Sequence, residues 1–112
     1  MGKADMVLKG IEAIAEKESL PIIGRDRGQV LIKVIRQTRP RRILEIGTLV
    51  GYSTIKMAKE LDAKACLTTI ETHSGRAKLA RENIEKADVR PKIDVIVGDA
   101  IKVIPKLTEN ST

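Results

Sequence analysis

The sequence predicts an α/β fold in which about three parallel strands are flanked by helices. Residues 43–46, 66–70 and 93–97 are short apolar runs of strand length. Each run closes on a polar or glycine-bearing turn, at Gly47, Glu71 and Gly98-Asp99. Each turn opens a segment with helical spacing, and strands that alternate with helices build a parallel sheet through crossover connections.

Two helices come first, within residues 1–40. Between residues 3 and 17, Val7, Leu8, Ile11, Ile14 and Ala15 recur at helical spacing, and Pro21 and Gly24 break the pattern. Asp26 is placed to cap a second helix with a buried stripe of Val30, Leu31, Val34 and Ile35. That helix must end before Pro40, whose ring disfavours helical geometry at Arg39. Residues 41–107 then read β-α-β-α-β-α. After the first strand, residues 51–61 turn helical with Ile55, Ala58 and Leu61 on one side. The second strand is closed by Glu71, and Ser74 can cap a helix carrying Ala77, Ala80, Ile84 and Ala87 on one face. Its other face pairs Arg81 with Glu85 and Glu82 with Lys86 at i, i+4 spacing. The third strand precedes a short apolar helix over residues 100–107, and residues 108–112 form a polar tail. The whole, residues 1–112, is expected to be one partial domain, shorter than most complete doubly wound enzymes.

The core must be aliphatic, because the chain has no Phe or Trp and a single tyrosine, Tyr52. Lysines and arginines exceed acidic residues by 21 to 15, a net charge of +6, yet most alternate with glutamate along helix faces as a solvated surface does. The densest cluster, Arg39-Pro40-Arg41-Arg42, could touch phosphates, but a nucleic-acid reader usually adds aromatic platforms that are missing here. The lone Cys66, read as a buried thiol, suits a reducing cytoplasm. No apolar run approaches the roughly 20 residues that span a bilayer, and the N-terminus has no signal-peptide core.

The turns after the three strands should gather along one edge of the sheet, where ligands of such folds bind. Gly47 and Gly51 let the backbone turn tightly and approach a ligand, while the first amides of the next helix offer donors and a positive dipole end. Glu71, about twenty residues beyond, is placed to accept both hydroxyls of a ribose. Asp99 either flanks an adenine ring or caps the helix that follows. Tyr52 and Ser53 could pack against or hydrogen-bond the cofactor. His73, the only histidine, has no partner at metal spacing and is read as a loop residue.

Glu45-Ile46-Gly47-Thr48-Leu49-Val50-Gly51-Tyr52-Ser53-Thr54 resembles the first motif of S-adenosylmethionine-dependent O-methyltransferases of the catechol and caffeoyl-CoA type. Ile70-Glu71-Thr72, Ala80-Arg81-Glu82-Asn83-Ile84 and Val97-Gly98-Asp99-Ala100 follow in the family's order, and Gly28-Gln29-Val30-Leu31 is similar to its segment ahead of the first motif. The resemblance implies a Rossmann-like class I methyltransferase fold, truncated to its N-terminal half, with S-adenosylmethionine as cofactor. Gly47, Thr48 and Ser53 would then line its methionine part, Glu71 would hold the ribose, Asp99 and Ala100 would border the adenine, and Glu45, Gly51, Tyr52 and Gly98 would complete the cofactor-binding set. Val50 stands where the family often has Thr, and His73 where an acidic residue is common. The family continues into a fourth strand with a metal-binding Asp and then the acceptor pocket. No catalytic or metal-binding residue is therefore assigned in this chain.

The favoured expectation is a cofactor-binding half with little activity alone. A second is a working methyltransferase completed by a partner or by self-association, through the free edge of the first strand. A third, of a different class, is a binding or scaffold module with a basic, RNA-contacting surface.

Overall fold

The computed structural model describes residues 2–110. Its elements are α1 Lys3–Glu18, α2 Gly24–Thr38, β1 Arg42–Ile46, α3 Tyr52–Ala58, β2 Cys66–Glu71, α4 Ser74–Ala87, β3 Lys92–Val97 and α5 Ala100–Asn110. The strands form one parallel sheet in the order β1-β2-β3, with Ile43, Leu67 and Ile93 in register. This is the Rossmann-like arrangement expected, with α3 and α4 as the crossovers.

The chain folds this way because each helix has an apolar side and a defined stop. α1 buries Leu8, Ile11 and Ala15 and ends where Ser19 turns left-handed and donates its amide to the Ala15 carbonyl. α2 ends in the same manner at Arg39, one residue before Pro40. Side chains of one sheet face, Ile43, Leu67 and Ile93, pack with Leu31 and Ile35 of α2 and with Met57, Leu61 and Ala65. A second cluster joins Leu8 and Ile11 of α1 to Val50, Tyr52, Ile55 and Ala87. The short α3 is the hub. All of its residues except Ser53 are buried.

Several expectations are corrected. The buried side of α2 is Gly28, Ile32 and Ile35, an i, i+4, i+7 stripe facing α3, while Val30 and Val34 are exposed on its flank. Asp26 lies inside the first turn, after Ile23 at the cap position. Ile14 of α1 is exposed. The regular helix of α3 stops at Ala58, and residues 59–61 finish it as a turn. His73, not Ser74, caps α4: its Nδ1 accepts a hydrogen bond from the Arg76 amide at 3.1 Å. Arg81 reaches the Val95 carbonyl at 2.6 Å rather than pairing with Glu85. Cys66 is exposed, because it opens β2 on the outward side of the pleat. α5 runs on to Asn110, so the backbone of residues 108–110 is helical rather than a tail, and residues 111–112 lie outside the described residues.

Candidate functional site

Parallel strands place the turns after β1, β2 and β3 on one edge, and backbone bonds hold them together. The Gly47 amide donates to the Ile70 carbonyl at 2.8 Å, and the Gly98 amide to the Glu71 carbonyl at 2.9 Å. Glu71 is the centre of this edge. Its side chain is 5% exposed; one carboxylate oxygen accepts the Leu49 amide at 2.8 Å and the other the His73 amide at 3.0 Å. A single residue thus ties all three turns. A buried carboxylate is tolerable only with such donors, and amides supply them without adding a cation.

The turn after β1 alternates in hand. Gly47, Leu49 and Gly51 have φ of 88°, 53° and 91°. Leu49 is the non-glycine residue whose strain is worth explaining, since Ser19, Arg39 and Asp88, the other side chains at positive φ, all end helices. Its left-handed backbone aims an amide at Glu71. A Cβ on residue 47 would meet open space, whereas one on residue 51 would stand 3.4 Å from the Ala80 carbonyl. Gly47 therefore leaves room for a ligand, and Gly51 permits α4 to approach. Asn83 of α4 completes the hold by donating to the Val50 carbonyl at 2.8 Å.

Beneath the turn lies a relay of hydroxyls. Glu45 accepts from Ser53, Thr54 and Thr69, the last at 2.7 Å. Because the Thr69 proton is committed to Glu45, the 2.6 Å contact between Thr48 and Thr69 has Thr48 as donor. Thr48 is buried, so its side chain faces this relay and not the edge.

Tyr52 also points inward. It is 2% exposed and donates its hydroxyl to Glu12 of α1. Burial and the adjoining Glu12 carboxylate push its phenol well above the ordinary value. Burial alone would raise Glu12, but hydrogen bonds from Tyr52 and Arg25, with the charges of Arg25 and Lys56, hold it below the usual carboxylate range. At the third turn, Asp99 caps α5 through a 3.0 Å bond from the Ile101 amide, so of the two roles open to it the cap is formed. Ala100 begins that helix half-buried, and Gly98 lies against Val103.

The side chains and backbone left facing the edge are those of Gly47, Leu49, Ser53, Glu71, Asp99 and Ala100. Leu49, Thr69 and Asn83 were not singled out from the sequence. The signal for Thr69 was its strand alternation with Leu67 and Glu71. No signal marks Leu49, whose left-handed backbone belongs to the fold. Clefts of about 320 and 550 Å³ lie elsewhere, at the amino ends of the strands and beside β3. Among the described residues, no group of three or more His, Cys, Asp or Glu side chains converges to hold a metal ion, and no helix is long and apolar enough to cross a membrane.

Comparison with known proteins meets this geometry. A family model described as O-methyltransferase matches residues 3–112. The chain is 35% identical over 91 residues to the catechol O-methyltransferase of Sus scrofa, covering 81% of this chain and 49% of that protein. It is 33% identical over 106 residues to that of Niastella koreensis, covering 94% and 48%. Among solved structures, an O-methyltransferase from Bacillus cereus in complex with SAH superposes with a TM-score of 0.83 at 29% identity, covering 96% of this chain and 50% of that one. TomG from Streptomyces achromogenes, in complex with SAM, gives 0.81 at 31% identity, covering 95% and 48%. The chain spans about half the length of these relatives.

Proposed function

The chain belongs to the O-methyltransferase family, and from that premise we propose that its carboxyl edge seats S-adenosylmethionine. The observation that carries this reading is the buried Glu71 carboxylate. Of its roughly four acceptor positions two are filled by amides, which leaves acceptors for the two hydroxyls of a ribose. Charge points the same way. Glu71 and Asp99 stand on this edge at the ends of β2 and β3, with Glu45 beneath the first turn, and none of the ion pairs among the described residues engages the three. In a chain of net charge +6 this edge is locally acidic. It suits a cationic sulfonium better than a pyrophosphate, which would seek the very Leu49 amide already given to Glu71.

When bound, the cofactor supplies an electrophilic methyl group. Glu71 would orient the ribose, the Gly47 backbone and the Ser53 hydroxyl would border the methionine part, and Asp99 and Ala100 the adenine. The described residues do not fit a metal ion, so no step is derived through one. Transfer of the methyl to a hydroxyl acceptor is the proposed reaction, with little activity from these elements alone.

The proposed partner is a second copy of the chain at the outer edge of β1. That edge meets no strand among the described residues, and Leu44 and Ile46 beside it are 46% and 65% exposed. A cytoplasmic setting is proposed from the single unpaired cysteine. A basic RNA-contacting scaffold ranks below this reading, because the one aromatic ring, Tyr52, is buried and cannot stack on a base.

Calorimetric titration with S-adenosylmethionine and its demethylated product tests the proposal. Saturable binding that weakens about tenfold or more in Glu71→Gln is expected, the loss of hydrogen bonds to a charged acceptor. A folded wild-type chain that binds neither compound would overturn it.

A further inference from the structure

Lys56 is a buried ammonium that the proposed cofactor seat does not use. It sits on α3 with 6% of its surface exposed. Its chain runs across the face of α2 at Gly28: a Cβ on residue 28 would stand 2.5 Å from Lys56 Cε and 2.9 Å from Cδ. The glycine is therefore the slot through which the lysine passes. The Nζ ends 3.4 Å from the Tyr52 hydroxyl and 5.3 Å from the centre of its ring. Tyr52 donates to Glu12 of α1, and Glu12 also accepts from Arg25 Nη2, in the first turn of α2, at 3.2 Å. One polar chain, Arg25–Glu12–Tyr52–Lys56, thus stitches α1, α2 and α3.

Between Glu12 and Arg25 lies the connection from α1 to α2. Two of its residues, Ile22 and Ile23, pack against the cluster that contains Val50 and Tyr52, as Leu49 of the glycine turn also does. The stitched chain thus brackets a segment that shares its core cluster with the glycine turn. Surface ion pairs rarely fix geometry. A buried cation on an aromatic face, in a slot that no other side chain could share, does so far better.

We infer that Lys56, seated in the Gly28 slot, is a positioning residue that sets the α1–α2 connection against the glycine turn and so shapes the cofactor seat. The inference rests on the cofactor reading above, but its geometry can be tested apart from it. Tyr52 is the only tyrosine, so tyrosinate absorbance during an alkaline titration reports this chain alone.

Lys56→Met, Gly28→Ala and the double variant are compared with wild type by calorimetric titration with S-adenosylmethionine, by thermal melting and by tyrosinate absorbance. Lys56→Met and Gly28→Ala are each expected to lose about tenfold in affinity while still melting cooperatively. The double variant should lose no more affinity than either single one, because each change takes the same ammonium from its place beside Tyr52, one by filling the slot and the other by removing the charge. In each, the phenol should ionise nearer its ordinary pH as Tyr52 gains solvent and parts from Glu12, the two causes that hold it up, a change that outweighs the loss of the nearby ammonium. Wild-type affinity in Lys56→Met, or losses that add in the double variant, would overturn the inference. Unchanged Tyr52 ionisation in all three would overturn it as well. If wild type itself fails to bind, the cofactor reading falls, and the tyrosine titration still decides whether the lock exists.

Discussion

Thr69 shows how much of this edge rests on single side chains. Its hydroxyl takes a proton from Thr48 and gives its own to Glu45, so Thr69→Val leaves a buried donor without an acceptor and a carboxylate short of a donor. The expected cost is about 1–3 kcal/mol, read as a lower denaturant midpoint, and Thr69→Ser should restore most of it. Glu12 gives a pH dependence. Its folded pKa is depressed, so its contribution is present above the ordinary glutamate value and is lost as pH falls through the depressed one. Melting temperature should therefore drop on acidification in wild type and drop less in Glu12→Gln. A residue's place on the carboxyl edge was legible where the end of a strand sets it, as with Gly47 and Glu71. It was not legible for Thr48 and Tyr52, because sequence does not say which way a side chain leaves a turn, and both leave toward the core.

At the level of elements, the two glycines of the first turn separate by what stands behind them. Gly51→Ala combines a φ of 91° with the Ala80 carbonyl at 3.4 Å, and should cost about 1–3 kcal/mol of stability. Gly47→Ala meets only open space, so beyond its backbone strain its methyl group projects into the room left at this edge. We expect it to lower cofactor affinity more than Gly51→Ala does, as paired melting and binding curves would show. His73→Ala removes the cap of α4 and should cost about 0.5–2 kcal/mol, with His73→Ser recovering part of it. Strand positions were legible because short apolar runs end at turn residues. The buried stripe of α2 was not, because Val30 and Val34 at i, i+4 imitate a core face while the true one includes a glycine. Gly28 carries no hydrophobicity, and its meaning appears only when Lys56 is seen crossing it.

For the whole molecule, the sheet has two outer edges among the described residues, at β1 and at β3, and β2 alone is paired on both sides. The outer edge of β1 meets no strand among the described residues and lies beside the exposed Leu44 and Ile46. Equilibrium sedimentation should show a concentration-dependent dimer that Ile46→Lys weakens, and a monomer at all concentrations would contradict self-association through β1. The fold class and the edge where the turns gather were readable from alternation alone, since parallel topology leaves little choice of where those turns lie. The hydrogen bonds that join those turns through Glu71 were not, because they depend on a left-handed backbone at Leu49. The most direct test is an amide nuclear magnetic resonance titration of the labelled chain with the demethylated cofactor product. Saturable shifts centred on Leu49 and His73, the amides held by Glu71, are predicted. Shifts confined to other surfaces, or none at all in a folded chain, would contradict the assignment of this edge as the cofactor seat.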